Sequence, residues 1–285
     1  MRDAGPSRTA ILVAIARAVH QTVDHPPIFS DPLASHILGP KARAAMAAGR
    51  GSRGAFASIL RTVLAVRARV AEDTLTEAVA AGVRQYVVLG AGLDTFALRN
   101  ADPSLHVFEV DHPNTQAWKR HRIEEEGLAV PATLRFVPVD FTKDDLDSEL
   151  RRAGLRPDQD TFFSWLGVAM YLTPDAIRAT LRTVAAWGGT NGGVVFDFIA
   201  PPPRSQVIMR LILWWRGRRV ARIGEPFSAP LAPADAERWL HEAGFKQVTI
   251  LSPQELTERY LRGRRLRMSP LSYVAVARGG ATPPR

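Results

Sequence analysis

The chain has 285 residues, 46% of them apolar and 23% charged, which suits one folded α/β domain with added segments and excludes a disordered chain. It contains no cysteine, so disulfides, thiolate nucleophiles and zinc-thiolate sites are excluded, and any chemistry must come from oxygen, nitrogen or a cofactor. A net charge of +9 favours an acidic partner without choosing among nucleic acid, a membrane surface and an anionic small substrate.

Residues 1 to about 80 are expected to form a mostly helical cap. Arg2 and Arg8 precede an apolar stretch there, but Arg17 interrupts it and no small-residue cleavage site follows clearly, which predicts a helix of a cytoplasmic protein and not a leader. From residue 86 onward, short β-branched or aromatic runs alternate with helical patterns, the mark of a parallel sheet wrapped by helices. Strands are predicted over residues 86–89, 106–110, 134–139, 161–165 and 194–199, all nearly continuous apolar runs, as burial on both faces requires. Thr173-Pro174-Asp175 opens a helix whose apolar face is Ile177, Leu181, Val184 and Ala185.

Residues 201–232 break the alternation and are expected to form a lid insertion. Their apolar stretch, 208–215, suits a lid over an apolar substrate or a helix lying on a membrane, and its place after the fifth strand favours the lid. The uninterrupted run 211–215 is far too short to span a bilayer. Pro233 then opens a helix with Ala236, Trp239, Leu240 and Ala243 on one face and Gly244 placed to end it. Two further strands, 248–251 and 273–277, are expected to pair like a hairpin across an irregular arginine-rich connection. The expected architecture is a single α/β Rossmann-like domain with a seven-stranded, mostly parallel sheet and helices on both faces. It divides into a cap (1–80), a core (81–200), the lid (201–232) and a C-terminal helix and strand pair (233–285).

The first strand runs directly into Gly90-Ala91-Gly92-Leu93-Asp94-Thr95, a tight turn that lets a ligand approach the backbone. Asp111 ends the second strand, where a carboxylate can accept hydrogen bonds from both ribose hydroxyls. A dinucleotide fingerprint wants a third glycine where this chain has Thr95, to pack helix and strand around a pyrophosphate. On the turn alone, NAD and the phosphate-free S-adenosylmethionine both stay open.

Five separated stretches carry a resemblance: VRARVAEDTL, QYVVLGAGLDTFALR, VFEVDHP, FVPVDFT and FFSWLGVAMYLTPDA, with SRTA and FSDPLASHIL ahead of them. In order and spacing they resemble the leucine carboxyl methyltransferase family from Ser7 to Phe198, and within it the bacterial branch that includes tetracenomycin-type polyketide carboxyl methyltransferases. The resemblance implies a class I methyltransferase that uses S-adenosyl-L-methionine and releases S-adenosyl-L-homocysteine. It implies that Arg67 pairs with the cofactor's carboxylate, that Gly90, Ala91 and Gly92 pass beside its methionine part, and that Asp111 takes the ribose with His112 beside it. Asp140 and Phe141 would contact the adenine. Leu166 stands where the phosphatase-modifying branch has glutamate, so that contact is missing here or made by backbone.

Methyl transfer from a sulfonium is an in-line displacement that asks for alignment and exclusion of water. A carboxylate acceptor is already ionised at neutral pH, whereas a phenol benefits from a base. His112, Tyr171, His20, His25 and His36 are the groups to consider near the site, yet no convincing acid-base pair emerges and no catalytic residue is assigned. The expected reaction is O-methylation of a small hydrophobic or aromatic natural-product acceptor of secondary metabolism, a carboxylate first and a phenolic hydroxyl next. The competing readings are a nucleic-acid methyltransferase, an NAD-dependent oxidoreductase and a methyltransferase-like protein that binds the cofactor without transfer. The basic clusters Arg216, Arg218, Arg219, Arg222 and Arg262, Arg264, Arg265, Arg267 lack interleaved aromatics, so they read as solvated faces and nucleic acid is not the expected partner. No metal ligand set stands out, and a monomer or homodimer is expected.

Overall fold

Seven strands form one sheet in the order β3-β2-β1-β4-β5-β7-β6. The computed structural model describes residues 7–48, 54–141, 143–202 and 230–280. Its strands are β1 (Gln85–Leu89), β2 (His106–Asp111), β3 (Leu134–Pro138), β4 (Thr161–Trp165), β5 (Gly193–Ile199), β6 (Gln247–Leu251) and β7 (Ser272–Arg278). All seven predicted strands are present, with no end shifted by more than one residue. Strands β1 to β5 pair in parallel, while β7 runs antiparallel to both β5 and β6. The order reverses between β1 and β4, and open sheets of this kind take ligands in the crevice outside the carboxyl ends of the strands at such a reversal.

The cap contributes α1 (Arg8–Val23), α2 (Pro40–Ala47) and the 26-residue α3 (Ala55–Ala80). Between the strands lie α4 (Phe96–Arg99), α5 (Pro113–Glu125), α6 (Leu146–Arg152) and α7 (Pro174–Gly188), followed by α8 (Pro233–Ala243) and α9 (Pro253–Tyr260). The predicted caps are seen. The Thr173 hydroxyl accepts from the Ala176 amide at 3.3 Å, and Gly244 closes α8 in the left-handed conformation at φ +108°. The connection between β6 and β7 differs from expectation. It contains α9, started by a capping box in which Ser252 and Glu255 satisfy each other's backbone amides.

Alternate residues of the central strands fill two cores. Val87, Leu89, Phe163, Trp165, Val194 and Phe196 meet Leu181 and Val184 of α7 and Leu240 of α8 on one face. Tyr86, Val88, Phe162 and Val195 meet Val66, Val70 and Leu75 of α3 and Leu256 of α9 on the other. Each such side chain contributes about 1.5–3 kcal/mol on burial. A third, smaller cluster joins α1 to the base of the glycine turn through Ala14, Ala18, Ile37 and Leu93. No helix among the described residues is long and apolar enough to cross a membrane. The lid expected over 201–232 lies outside the described residues except at 201–202 and 230–232, and the cluster at Arg216 lies outside them altogether.

Candidate cofactor site

The glycine turn is fastened to the next strand. The amides of Gly90 and Ala91 both donate to the Val110 carbonyl, at 2.8 and 3.0 Å, so the turn begins while β1 is still held to β2. Gly90 and Gly92 have φ of +67° and +52°, a region that disfavours any side chain. At Gly90 space adds a second demand, because a Cβ there would come within 2.3 Å of Val168 Cγ2.

Asp111 sits at the end of β2, and its carboxylate faces this turn. One oxygen accepts from the Gly92 amide and the other from the His112 amide at 2.6 Å. Each oxygen keeps a second lone pair for a hydroxyl. Burial raises the Asp111 carboxyl above the usual carboxylate range, against the pull of those two amides. His112 caps α5, its Nδ1 accepting from the Asn114 amide at 3.2 Å. Beside it, the Val139 amide donates to the Asp111 carbonyl and brings Asp140 and Phe141 to the same end of the sheet. Asp140 pairs with Lys143 at 3.0 Å, and Phe141 leans on the α7 core.

A second group forms across the reversal, after β4. The Leu166 side chain packs against the α3-side core. Gly167 has φ +74°, and a Cβ there would meet the Arg67 guanidinium at 2.8 Å. Arg67, on α3, donates through Nη1 to Asp197 of β5 at 2.7 Å. Val168, resting on Gly90, joins the two groups. All nine predicted binding residues therefore stand at the carboxyl ends of β1 to β4 or against them, where open α/β sheets take ligands.

The residues suit S-adenosylmethionine better than a dinucleotide. A pyrophosphate would use the free amides of the helix after the turn. Here that helix, α4, has four residues, and its Phe96 amide already donates to the Asp94 carboxylate at 2.7 Å. An anion would meet a carboxylate there. The glycine cradle, a half-buried acid with free lone pairs and a buried arginine fit a nucleoside joined to an amino-acid end.

The histidines are engaged elsewhere. His20 is fully buried, its Nδ1 paired with Asp24 at 2.9 Å while its Nε2 accepts from the Ile28 amide at 3.0 Å. Burial lowers its pKa, so it is neutral and structural. His25 and His36 bond to the carbonyls of Thr22 and Pro32. The residues missed in the sequence are Asp197, Gly167 and Val168. An acid inside the apolar run Gly193–Ile199 was the one available signal.

Among the described residues no group of three His, Asp or Glu side chains could hold a metal ion. Fold and site together define a class I S-adenosylmethionine-dependent methyltransferase. The leucine carboxyl methyltransferase family matches residues 10–185, and the chain belongs to that family. The putative S-adenosyl-L-methionine-dependent methyltransferase YktD of Bacillus subtilis (strain 168) is 29% identical over 96% of this chain and 97% of its own. A putative S-adenosyl-L-methionine-dependent methyltransferase of Saccharopolyspora erythraea is 34% identical over 69% of this chain and 68% of its own. The crystal structure of a putative methyltransferase from Thermobifida fusca shares the fold, with a TM-score of 0.57 at 14% identity over 98% of this chain and 96% of that one.

Proposed function

We propose that the chain is an O-methyltransferase that converts the carboxylate of a small hydrophobic or aromatic natural-product acid to its methyl ester, with a phenolic hydroxyl as the next acceptor class. The engagement of the histidines carries the choice of acceptor. His20 holds a loop, His112 caps a helix, and His25 and His36 bond to backbone. A carboxylate with a pKa of about 4 needs no base, whereas a phenol near about 10 calls for one. The net charge of +9 and the resemblance to the tetracenomycin-type branch agree with an acidic acceptor.

Bound adenosylmethionine supplies an electrophilic methyl group on a sulfonium. In this reading Asp111 accepts from the ribose hydroxyls, with His112 beside it. Asp140 and Phe141 meet the adenine, and Arg67 takes the carboxylate. Gly90, Ala91 and Gly92 pass beside the cofactor's methionine part, and at Leu166 the acidic contact is absent or replaced by backbone. The protein's share of the chemistry is to hold the acceptor oxygen in line and keep water out, since no proton has to move.

Calorimetric titration with S-adenosylmethionine, S-adenosylhomocysteine and NAD, followed by transfer of labelled methyl to panels of aromatic acids and phenols, tests this. Ester product releases its label as methanol in mild base and an ether does not. Base-labile product supports the carboxyl assignment. Base-stable product moves the assignment to phenols, and binding of NAD alone overturns it.

A further inference from the structure

Arg67 is 7% exposed, yet a guanidinium has five donors and, among the described residues, Arg67 spends one of them within the protein, on Asp197. Its pose is set from two sides. One oxygen of Asp197 holds Nη1 at 2.7 Å while the other accepts from the Gly167 amide, so a single carboxylate links β5, the turn after β4 and α3. Gly167 lies off the Nη1–Nη2 end of the guanidinium, where a Cβ would stand 2.8 Å from Nη2 and 2.9 Å from Nη1. The register Trp165↔Phe196 puts Asp197 level with the end of β4, at the crevice and on the α3 face beside Val195.

We infer that Asp197 is a positioning residue for cofactor binding: it orients Arg67 so that the remaining guanidinium donors present a ready fork to the carboxylate of the cofactor's amino-acid end. The inference rests on the reading of Arg67 as that carboxylate's partner. A long side chain that must be ordered on binding loses affinity, and a fork already fixed does not. Asp197 also offsets the charge of an arginine held away from water while it waits. The unpaired donors then discriminate between ligands with and without a carboxylate.

The test compares two ligands, S-adenosylhomocysteine and 5′-methylthioadenosine, which share the nucleoside but differ in the amino-acid end. Kd is measured by calorimetry for the parent, Arg67→Ala, Asp197→Asn and the double variant. Asp197→Asn is expected to weaken S-adenosylhomocysteine by roughly tenfold or more, the scale of one charge-assisted hydrogen bond, and to leave 5′-methylthioadenosine within about threefold. In the Arg67→Ala background the same change is expected to add nothing. Asp197→Glu, which keeps the charge pair but displaces the guanidinium, replaces the amide variant in the comparison if that variant does not fold.

If Arg67→Ala loses S-adenosylhomocysteine selectively while both Asp197 variants bind like the parent, the positioning role is overturned and the Arg67 reading stands. If Arg67→Ala leaves the preference between the two ligands unchanged, the Arg67 reading itself falls. Equal weakening of both ligands by the Asp197 variants assigns Asp197 to the fold alone and overturns the inference.

Discussion

The guanidinium of Arg17 donates to the carboxylate of Asp94 at 2.5 Å, and so fastens the first helix of the cap to the end of the glycine turn. Its other nitrogen reaches Asp31 at 2.7 Å, and Asp31 in turn accepts from the Thr95 hydroxyl at 2.6 Å. Both faces of the link are buried or nearly so, with Asp31 wholly shielded. Arg17→Ala takes the nearest cation from two carboxylates, leaving Asp31 the longer pair to Arg99 at 3.5 Å, and is expected to cost about 3 kcal/mol in urea unfolding. Arg238→Ala, which removes the surface pairs to Asp235 and Glu242, is expected to unfold like the parent.

Asp94 also makes the protein's stability depend on acid. Burial alone would raise its carboxyl, but the charges of Arg17, Lys119 and Arg99 outweigh burial and hold it well below the usual range. A carboxyl depressed in the folded state adds stability that is complete above its ordinary value of 3.8 and is lost as pH falls through the folded value. The stability gap between the parent and Asp94→Asn should be full at neutral pH and shrink below 3.8. A gap that is constant down to the acid limit would contradict the ion-pair assignment.

Asp111 has the opposite sign. Its carboxyl is raised by burial, so in the unliganded protein its ionisation costs stability as pH rises from the ordinary value through the raised one. Ribose binding needs the ionised form as acceptor. The affinity for S-adenosylhomocysteine should therefore fall on acidification, with the fall beginning above 3.8. Asp111→Asn should bind weakly and lose that pH dependence, which titrations across the acid range would reveal.

At Gly90 two penalties can be separated. Gly90→Ala forces a side chain into the left-handed region, at about 1–2 kcal/mol, and drives its methyl into Val168. The double variant Gly90→Ala with Val168→Ala should recover the overlap and not the backbone strain. Unfolding midpoints and cofactor Kd for the three proteins measure the two parts.

Much of this architecture was legible in the sequence because burial on both faces leaves a plain trace. Runs such as Val194, Val195 and Phe196 have no polar alternation to confuse their reading, and Pro174 and Pro233 mark helix starts by their missing amides. The place of Asp111 at the end of the strand that follows the glycine turn was legible too, since both lie within one β-α-β unit. Helix α9 is not legible although Ser252 and Glu255 stand at capping-box spacing, because the arginines that follow give its stretch the pattern of a charged connection. The Arg67–Asp197 pair could not be read in advance. Its members lie 130 residues apart, and only the strand order brings β5 beside the helix that precedes β1. Arg17 hid for a related reason: a lone arginine in an apolar helix reads as exposed until the acids that meet it, Asp31 and Asp94, are folded against it.

Strand β7 enters the sheet between β5 and β6, so β6 touches the other strands only through a partner made after it. Synthesis proceeds from the amino end, and until residues 272–278 emerge β5 carries an open hydrogen-bonding edge and β6 has no neighbour in the sheet. The nascent protein thus passes through a stage in which an apolar edge is available to other chains. Until the ribosome delivers β7, the outer edge of β5 has no partner of its own chain to close it.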